Sequence, residues 1–219
     1  MYTLRFTRPL LGLVTDPEEP LPAEVAPTTR LGDWYVVPLE ATGRDLLLCT
    51  SERSRLSVVL PASDFEELPE NLAIALVGVL HRLGLPKAVI AREIDAMTSG
   101  DVGVARDRAL LTAMRTIGSR ARTFIESAED GIDVAALYEH LAQHPTRGAG
   151  GQTAAVVATA LLMAPPAPSR PTPRARKTAA KVAAKKGASV PARTTPKPAA
   201  KKTAKTAAKA PAKRAQKKR

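Results

Sequence analysis

The last 69 residues of the chain contain 18 lysines and arginines and no acidic residue. The first 150 residues have the opposite balance, with 15 basic and 21 acidic side chains, so the whole chain reaches a net charge of +12. A segment of one charge sign without aromatic residues cannot bury enough apolar surface to offset the entropy lost on ordering. The sequence therefore predicts an acidic body that folds and a basic tail that is disordered when free.

Composition divides the chain into three predicted segments. Residues 1–145 carry periodic apolar segments and are long enough for one domain with a hydrophobic core. Residues 146–176 are a predicted linker that contains an apolar stretch at 153–164, and residues 177–219 are the tail. The apolar stretch is either a fifth helix that docks on the body or a peptide that binds an apolar partner, and the sequence does not separate these alternatives.

The chain is predicted to be soluble and cytoplasmic. Cys49 is the only cysteine, which excludes an internal disulfide and a zinc site built from several cysteines. The longest uncharged apolar run has twelve residues, whereas a membrane-spanning helix needs roughly 20. Arg5 and Arg8 interrupt the apolar N-terminal stretch, so no signal peptide is expected.

The first half of the body has the short apolar runs of a small antiparallel sheet. Residues 2–6 alternate in polarity and predict an opening strand, and the proline-rich, acidic residues 15–30 predict a surface loop. Pro38 cannot donate to a strand ladder and therefore predicts an edge strand or a bulge. Three further runs with tight connections predict an antiparallel meander, at residues 34–39, 46–49 and 56–60.

After residue 61 the apolar pattern changes to helical spacing. Ser63 and Glu66 fit a capping box that would begin the first helix, and Gly84 would end it. Three more helices are predicted, at residues 86–97, 108–127 and 133–144. A short strand is predicted near residues 102–105, between the first and the second of these helices. The body is therefore predicted to be α+β, with a small antiparallel sheet covered by four or five helices.

Three groups of residues in the body match a family pattern that reads L-R-C/F-T-K-K-L-L, then L-G-x-W, then F-T-N-x-x-T-L-x-x-x-x-P. The matching residues are Leu4, Arg5, Phe6, Thr7, Leu10 and Leu11; Leu31, Gly32, Asp33 and Trp34; and Thr50, Ser51, Glu52, Leu56 and Pro61. On these residues, positions 1–125 resemble a family of small bacterial domains of unknown function. The family's N-R-S-V-L-G-S-M-N-D helix start is represented by residues 107–116, which lack the asparagines and the last aspartate. The resemblance brings no established activity.

The body offers no catalytic or metal-binding motif. His140 and His144 are four residues apart on a predicted helix, the spacing of two metal ligands, but the only other histidine is His81. Phosphate-binding, dinucleotide-binding, nucleophile-elbow and zinc-protease motifs are missing from the sequence. We therefore predict no catalytic residue, no metal site and no cofactor, and an enzyme with an unrecognised small-molecule site is kept as an alternative.

Several basic residues of the body have two interpretations. Arg5, Thr7 and Arg8 lie near a strand end, where they either bind an anion or form a solvated edge. Trp34 is interpreted as a core residue rather than a stacking platform. A solvated face is favoured over a nucleic-acid-binding helix for five further arginines, Arg106, Arg108, Arg115, Arg120 and Arg122.

A four-residue step of positive charge runs through the tail. Phosphate groups would neutralise the repulsion between neighbouring charges and let the alanine-rich pieces become helical. Because aromatic residues are missing from the tail, base readout and selectivity for single strands are not expected. The predicted nucleic-acid-binding residues are Lys177, Lys181, Lys185, Lys186, Arg193, Lys197, Lys201, Lys202, Lys205, Lys209, Lys213, Arg214, Lys217, Lys218 and Arg219.

The tail resembles the C-termini of linker histones and the lysine-, alanine- and proline-rich tails of some bacterial nucleoid proteins. The first functional hypothesis is therefore binding of nucleic acid, DNA rather than RNA, without sequence specificity and at the nucleoid, while the acidic body supplies protein contacts or an unknown activity. The second is a regulatory protein whose tail targets RNA, the ribosome or another polyanion. A merely solubilising extension is the simplest alternative for the tail.

A peptide of residues 177–219 tests the tail alone. We expect its circular dichroism spectrum to be that of a disordered chain in buffer and to gain helical signal when duplex DNA is added, because the phosphates offset the repulsion between lysines. A control peptide with glutamine at the lysine positions should not respond to DNA. A helical spectrum of the lysine peptide in dilute buffer without DNA would contradict this prediction.

Overall fold

The computed structural model describes residues 1–15, 21, 25–62, 65–128, 131–145 and 151–165. These residues form five strands: β1 (Tyr2–Phe6), β2 (Trp34–Ala41), β3 (Arg44–Ser51), β4 (Ser57–Pro61) and β5 (Gly100–Val104). Six helices accompany them: α1 (Arg8–Val14), α2 (Leu68–Arg82), α3 (Lys87–Ala96), α4 (Arg108–Glu126), α5 (Val134–Gln143) and α6 (Ala154–Met163). All of them belong to one compact unit, Met1–Ala167, and the second unit, Pro168–Arg219, lies outside the described residues.

The strands form one mixed sheet in the order β4-β3-β2-β1-β5. The predicted meander is confirmed, since β2, β3 and β4 pair antiparallel. The sheet as a whole is not antiparallel, because β1 runs parallel to both of its neighbours. Helices and long connections separate β1 from β2 and from β5 in the sequence, and such crossovers return the chain in the same direction. The α+β class is confirmed.

Pro38 lies where β2 changes from an interior strand to an edge strand. β1 pairs only with the beginning of β2, from Trp34 to Val36, and the N–H of Thr7 then donates to the carbonyl of Val36. Backbone groups of alternate residues face the same side of a strand, so the nitrogen of Pro38 faces this side, beyond the end of β1. The missing N–H therefore leaves no gap in a ladder.

Both faces of the sheet are covered near the start of β2. Trp34, Tyr35 and Val36 are all buried, although side chains of consecutive strand residues point to opposite faces. The side chain of Trp34 is fully buried, which confirms its interpretation as a core residue. Helix α4 packs on β2 and β3, while α2 and α5 pack on β4.

The helix boundaries follow local capping chemistry. Asp133, the first residue of the helix predicted at 133–144, accepts hydrogen bonds from the backbone N–H groups of Ala135 and Ala136 and so caps the start of α5. Gly84 follows α2 with a φ of +74°, a left-handed conformation that glycine adopts without strain. Helix α2 begins at Leu68, later than the predicted capping box, and Ser63 lies outside the described residues. The short helix α1 was not predicted.

Helix α6 is the apolar stretch, and it docks on the body. Its buried face contacts α5 and α3, and the side chain of Thr153 caps its first turn by accepting from the N–H of Val156. Arg30 secures the other end, because its Nη1 donates to the carbonyl of Leu162 at 2.8 Å and also to the carbonyl of Ala164. A cation at the C-terminus of a helix also interacts favourably with the helix dipole.

Glu93 of α3 connects the helical layer to the loop before β2. Its side chain is only 2% exposed, and its carboxylate accepts from the backbone N–H of Leu31 at 2.9 Å and of Arg30 at 3.0 Å. A buried carboxylate is tolerated where it is fully hydrogen-bonded. Glu93 therefore holds the loop residue whose side chain secures α6.

We expect the substitution Glu93→Gln to lower the free energy of unfolding by about 2 kcal/mol, because the new amide NH₂ would oppose a backbone N–H that currently donates to a carboxylate oxygen. Urea unfolding followed by circular dichroism measures this loss. The matched control is Asp95→Asn, an equivalent change at an exposed position of the same helix, which should stay within about 0.5 kcal/mol. Equal effects of the two substitutions would contradict this role of Glu93.

Candidate functional site

The structure does not place the predicted nucleic-acid-binding residues. All fifteen of them, from Lys177 to Arg219, lie outside the described residues. The geometry of the body nevertheless bears on the two interpretations of its arginines. It shows which guanidinium groups are engaged within the fold and which ones face solvent or a cavity.

Arg5 forms a buried ion pair. Its Nε and Nη2 atoms both lie 2.8 Å from Oδ2 of Asp33, whose side chain is 1% exposed. The other carboxylate oxygen of Asp33 accepts from the backbone N–H of Thr3 at 2.9 Å. Arg5 is specified by the family pattern, and Asp33 occupies the variable position of L-G-x-W; together they fasten β1 to the segment that leads into β2. Arg5 therefore has a structural anion partner within the body.

Two more arginines hold backbone carbonyl groups. Arg53 donates from Nη1 to the carbonyls of Thr29 and Arg30, each at 3.4 Å. Arg122 donates from Nε to the carbonyl of Glu40 at 2.7 Å, on the free edge of β2. These contacts stabilise the fold and show that part of the body's positive charge is used internally.

Cys49 is not a reactive thiol, and the pair His140 and His144 does not belong to a metal-binding group among the described residues. Burial raises the pKa of the Cys49 thiol to about 12, so the thiol stays protonated and is a poor nucleophile near neutral pH. The rings of His140 and His144 lie 4.5 Å apart at an angle of 81°. Among the residues that the structure describes, no third histidine, cysteine or carboxylate joins them to form a metal-binding group.

A cavity of about 560 Å³ opens between α4, the edge end of β2 and the residues that link β1 to α1. Ligand-binding cavities typically measure roughly 300–1,000 Å³. Its polar lining consists of Thr7, Arg115, Ser119 and Arg122. Its apolar lining includes Pro9, Val37, Leu39, Leu48, Leu111 and Met114. The cavity exists because β1 ends at Phe6, so that β2 has no neighbouring strand on this side beyond Val36.

One face of α4 forms a wall of the cavity. Leu111, Arg115, Gly118 and Arg122 follow each other at intervals of three or four residues, which places them on one side of the helix. A Cβ atom at Gly118 would lie 3.6 Å from Leu48 and 3.7 Å from Leu39, an ordinary contact distance. Because Gly118, Leu39 and Leu48 all line the cavity, a larger side chain at this position would meet the two leucines and reduce the space between α4 and the sheet.

The sequence carries no local signal for this cavity. A solvated face is predicted for the arginines of α4, and Arg115 and Arg122 are indeed exposed. The pattern that distinguishes them is their position on the same helical face as Gly118 and Leu111. This face borders a cavity because β1 pairs with β2 only as far as Val36 and leaves the rest of that β2 edge without a neighbouring strand. The sequence does not show where this pairing ends.

A family model described as "Domain of unknown function (DUF6933)" matches residues 3–155. The match includes the Arg5–Asp33 ion pair and the whole of α4. No curated protein and no solved structure matches the chain. No helix among the described residues is both long and apolar enough to cross a membrane.

The pKa of His144 is expected to lie below 6.5, the usual histidine value, because burial and then the positive charge of Arg120 disfavour the protonated ring. The unfolded chain therefore takes up this proton at a higher pH than the folded chain. The contribution of His144 to the free energy of unfolding should therefore be fully present above pH 6.5. This contribution should decrease as the pH falls from 6.5 through the folded-state pKa.

Proton NMR titration of the full chain measures the His144 midpoint directly. The substitution Arg120→Gln should raise this midpoint, because it removes a nearby positive charge. The control Arg92→Gln, at an exposed position on α3, should leave it unchanged. A midpoint at or above 6.5 in the unsubstituted protein would refute the assignment.

Proposed function

The chain belongs to the DUF6933 family of domains of unknown function, and we propose that it is a nucleic-acid-binding protein that binds DNA without sequence specificity through residues 177–219. In this proposal the body contacts a protein partner, and the protein resides at the nucleoid in the cytoplasm. Neither part requires a cofactor. The tail provides affinity and the body provides the link to other components.

The observation that carries the proposal is the charge of the tail. Residues 177–219 contain 15 lysines and arginines and no acid. A polycation of this kind gains binding free energy when it displaces the counterions condensed on duplex DNA. Lysine suits this type of contact because its ammonium group is a point charge that requires no fixed geometry.

The geometry of the body also supports the proposal that the tail, rather than the body, binds nucleic acid. Arg5 pairs with Asp33, Arg30 secures α6, and Arg53 and Arg122 hold backbone carbonyls. These arginines have internal partners, and residues 1–150 carry a net charge of −6. An acidic body whose arginines are partly engaged in the fold attracts a polyanion much less than the tail does.

DNA is favoured over single-stranded RNA by the composition of the tail. Proteins that bind single strands usually stack bases on aromatic side chains, and residues 151–219 contain no aromatic residue. Binding to RNA, the ribosome or another polyanion is the alternative, and the experiment below separates it from binding to duplex DNA.

Electrophoretic mobility shifts with the full chain test the proposal. If about eight tail charges engage phosphates, we expect the affinity for duplex DNA to fall by roughly 10³- to 10⁵-fold between 50 and 200 mM salt. Replacement of Lys201, Lys205, Lys209 and Lys213 by glutamine should reduce the slope of log affinity against log salt concentration by about 3 to 4.

The matched control removes the same charge from the body. Replacement of the exposed residues Arg44, Arg82, Arg92 and Arg108 by glutamine should change DNA affinity far less than the tail variant does. A truncation after Ala167, where the compact unit ends, should lose DNA binding. Equal binding by the truncation and the full chain would refute the proposal, and tighter binding to RNA than to duplex DNA would favour the alternative.

A further inference from the structure

We propose that the cavity between α4 and the edge end of β2 binds a small organic anion, a carboxylate or phosphate head group on a short apolar body. The head group would lie at Arg115 and Arg122, and the apolar body would lie against Leu39, Leu48, Leu111 and Met114. All of these residues belong to the body, and the proposal does not depend on nucleic-acid binding.

The charge of the cavity lining is the first argument. The lining contains two arginines, and no acidic side chain occurs among the described residues that form it. The surrounding residues 1–150 contain more acids than bases, so a wall with positive charge only is a local exception. Guanidinium groups bind carboxylates and phosphates through paired, charge-assisted hydrogen bonds.

The state of the two arginines is the second argument. Arg122 donates from Nε to the carbonyl of Glu40, which fixes its guanidinium group at the rim of the cavity. The guanidinium group of Arg115 has no hydrogen bond or ion pair with any residue in the described part of the chain. Arg122 is thus held in place, while the guanidinium group of Arg115, on the same helix face, is available to a ligand. Two such groups suit one anionic head group.

The apolar wall is the third argument. Side chains of Leu39, Leu48, Leu111 and Met114 line the cavity beside the arginines, so a ligand with a purely polar surface would leave this wall uncovered. Small-molecule sites typically combine such an apolar lining with a few polar groups that fix the orientation of the ligand. The combination selects an amphipathic anion over a free inorganic ion.

Thr7 provides a further polar group at the opposite side of the cavity. Its hydroxyl is shielded from solvent, has no hydrogen-bond partner within the described residues and does not cap α1. A buried hydroxyl without a partner is unfavourable unless something else satisfies it. In this proposal, a polar atom of the ligand is the partner that the Thr7 hydroxyl lacks.

Isothermal titration calorimetry of the full chain with octanoate, octyl phosphate and octanol tests the site. The three probes share an apolar chain, and the first two distinguish a carboxylate from a phosphate head group. We expect at least one of the two anions to bind at least tenfold more tightly than octanol, because only an anion forms an ion pair with Arg115 and offers it two acceptor oxygens.

Two variants assign the binding to the cavity. Arg115→Gln should weaken binding of the preferred anion by about tenfold and leave octanol unaffected. Gly118→Leu should abolish binding of all three probes by filling the cavity, with circular dichroism used to verify the fold. The control Arg92→Gln removes an exposed arginine of α3 and should bind the probes as the unsubstituted chain does.

The proposal is overturned if neither anion binds, if octanol binds as tightly as the anions, or if Arg115→Gln and Arg92→Gln behave alike. A folded Gly118→Leu variant that still binds would also overturn it. Mobility shifts with DNA should be the same for Arg115→Gln and the unsubstituted chain. Failure at the cavity is thus distinguishable from failure of the tail proposal.

Discussion

Hydrogen bonds to the segment from Thr29 to Asp33 join the parts of the body. The carboxylate of Glu93 binds the N–H groups of Arg30 and Leu31, and the carbonyl of Leu31 accepts from the Ser51 hydroxyl at 2.7 Å. Asp33 pairs with Arg5 of β1, while Arg30 reaches the end of α6. These contacts bring β1, β3, α3 and α6 to one irregular segment, whose buried polar groups need such partners.

The family pattern has a physical explanation in this segment. Gly32 has a φ of +81°, and a Cβ atom there would lie only 3.0 Å from the Cγ atom of Arg53. Glycine therefore satisfies both the conformation and the close approach of the neighbouring turn. Asp33 fixes β1, and Trp34 fills the core. The role of the L-G-x-W stretch in this chain is therefore structural.

Local patterns predicted most of the secondary structure because each element carries its own signal. Alternation marked β1, tight turns marked the meander, and Asp133 and Gly84 marked helix ends. Helix α1 was missed because seven residues contain too few turns to show a period. The parallel pairing of β1 was missed because strand order and direction depend on contacts between residues far apart in the sequence.

The sequence alone separates an acidic body from a basic tail, because residues 177–219 contain no acidic, aromatic, leucine, isoleucine or methionine residue and composition acts without any particular fold. It also determined the strands and helices that have strong local signals. Three properties are visible only in the folded chain: the apolar stretch docks as α6, Glu93 is buried, and Arg115 and Arg122 share a cavity wall. Those properties arise from the short pairing of β1 with β2 and from the packing of α4, which bring together residues with no local relation in the chain.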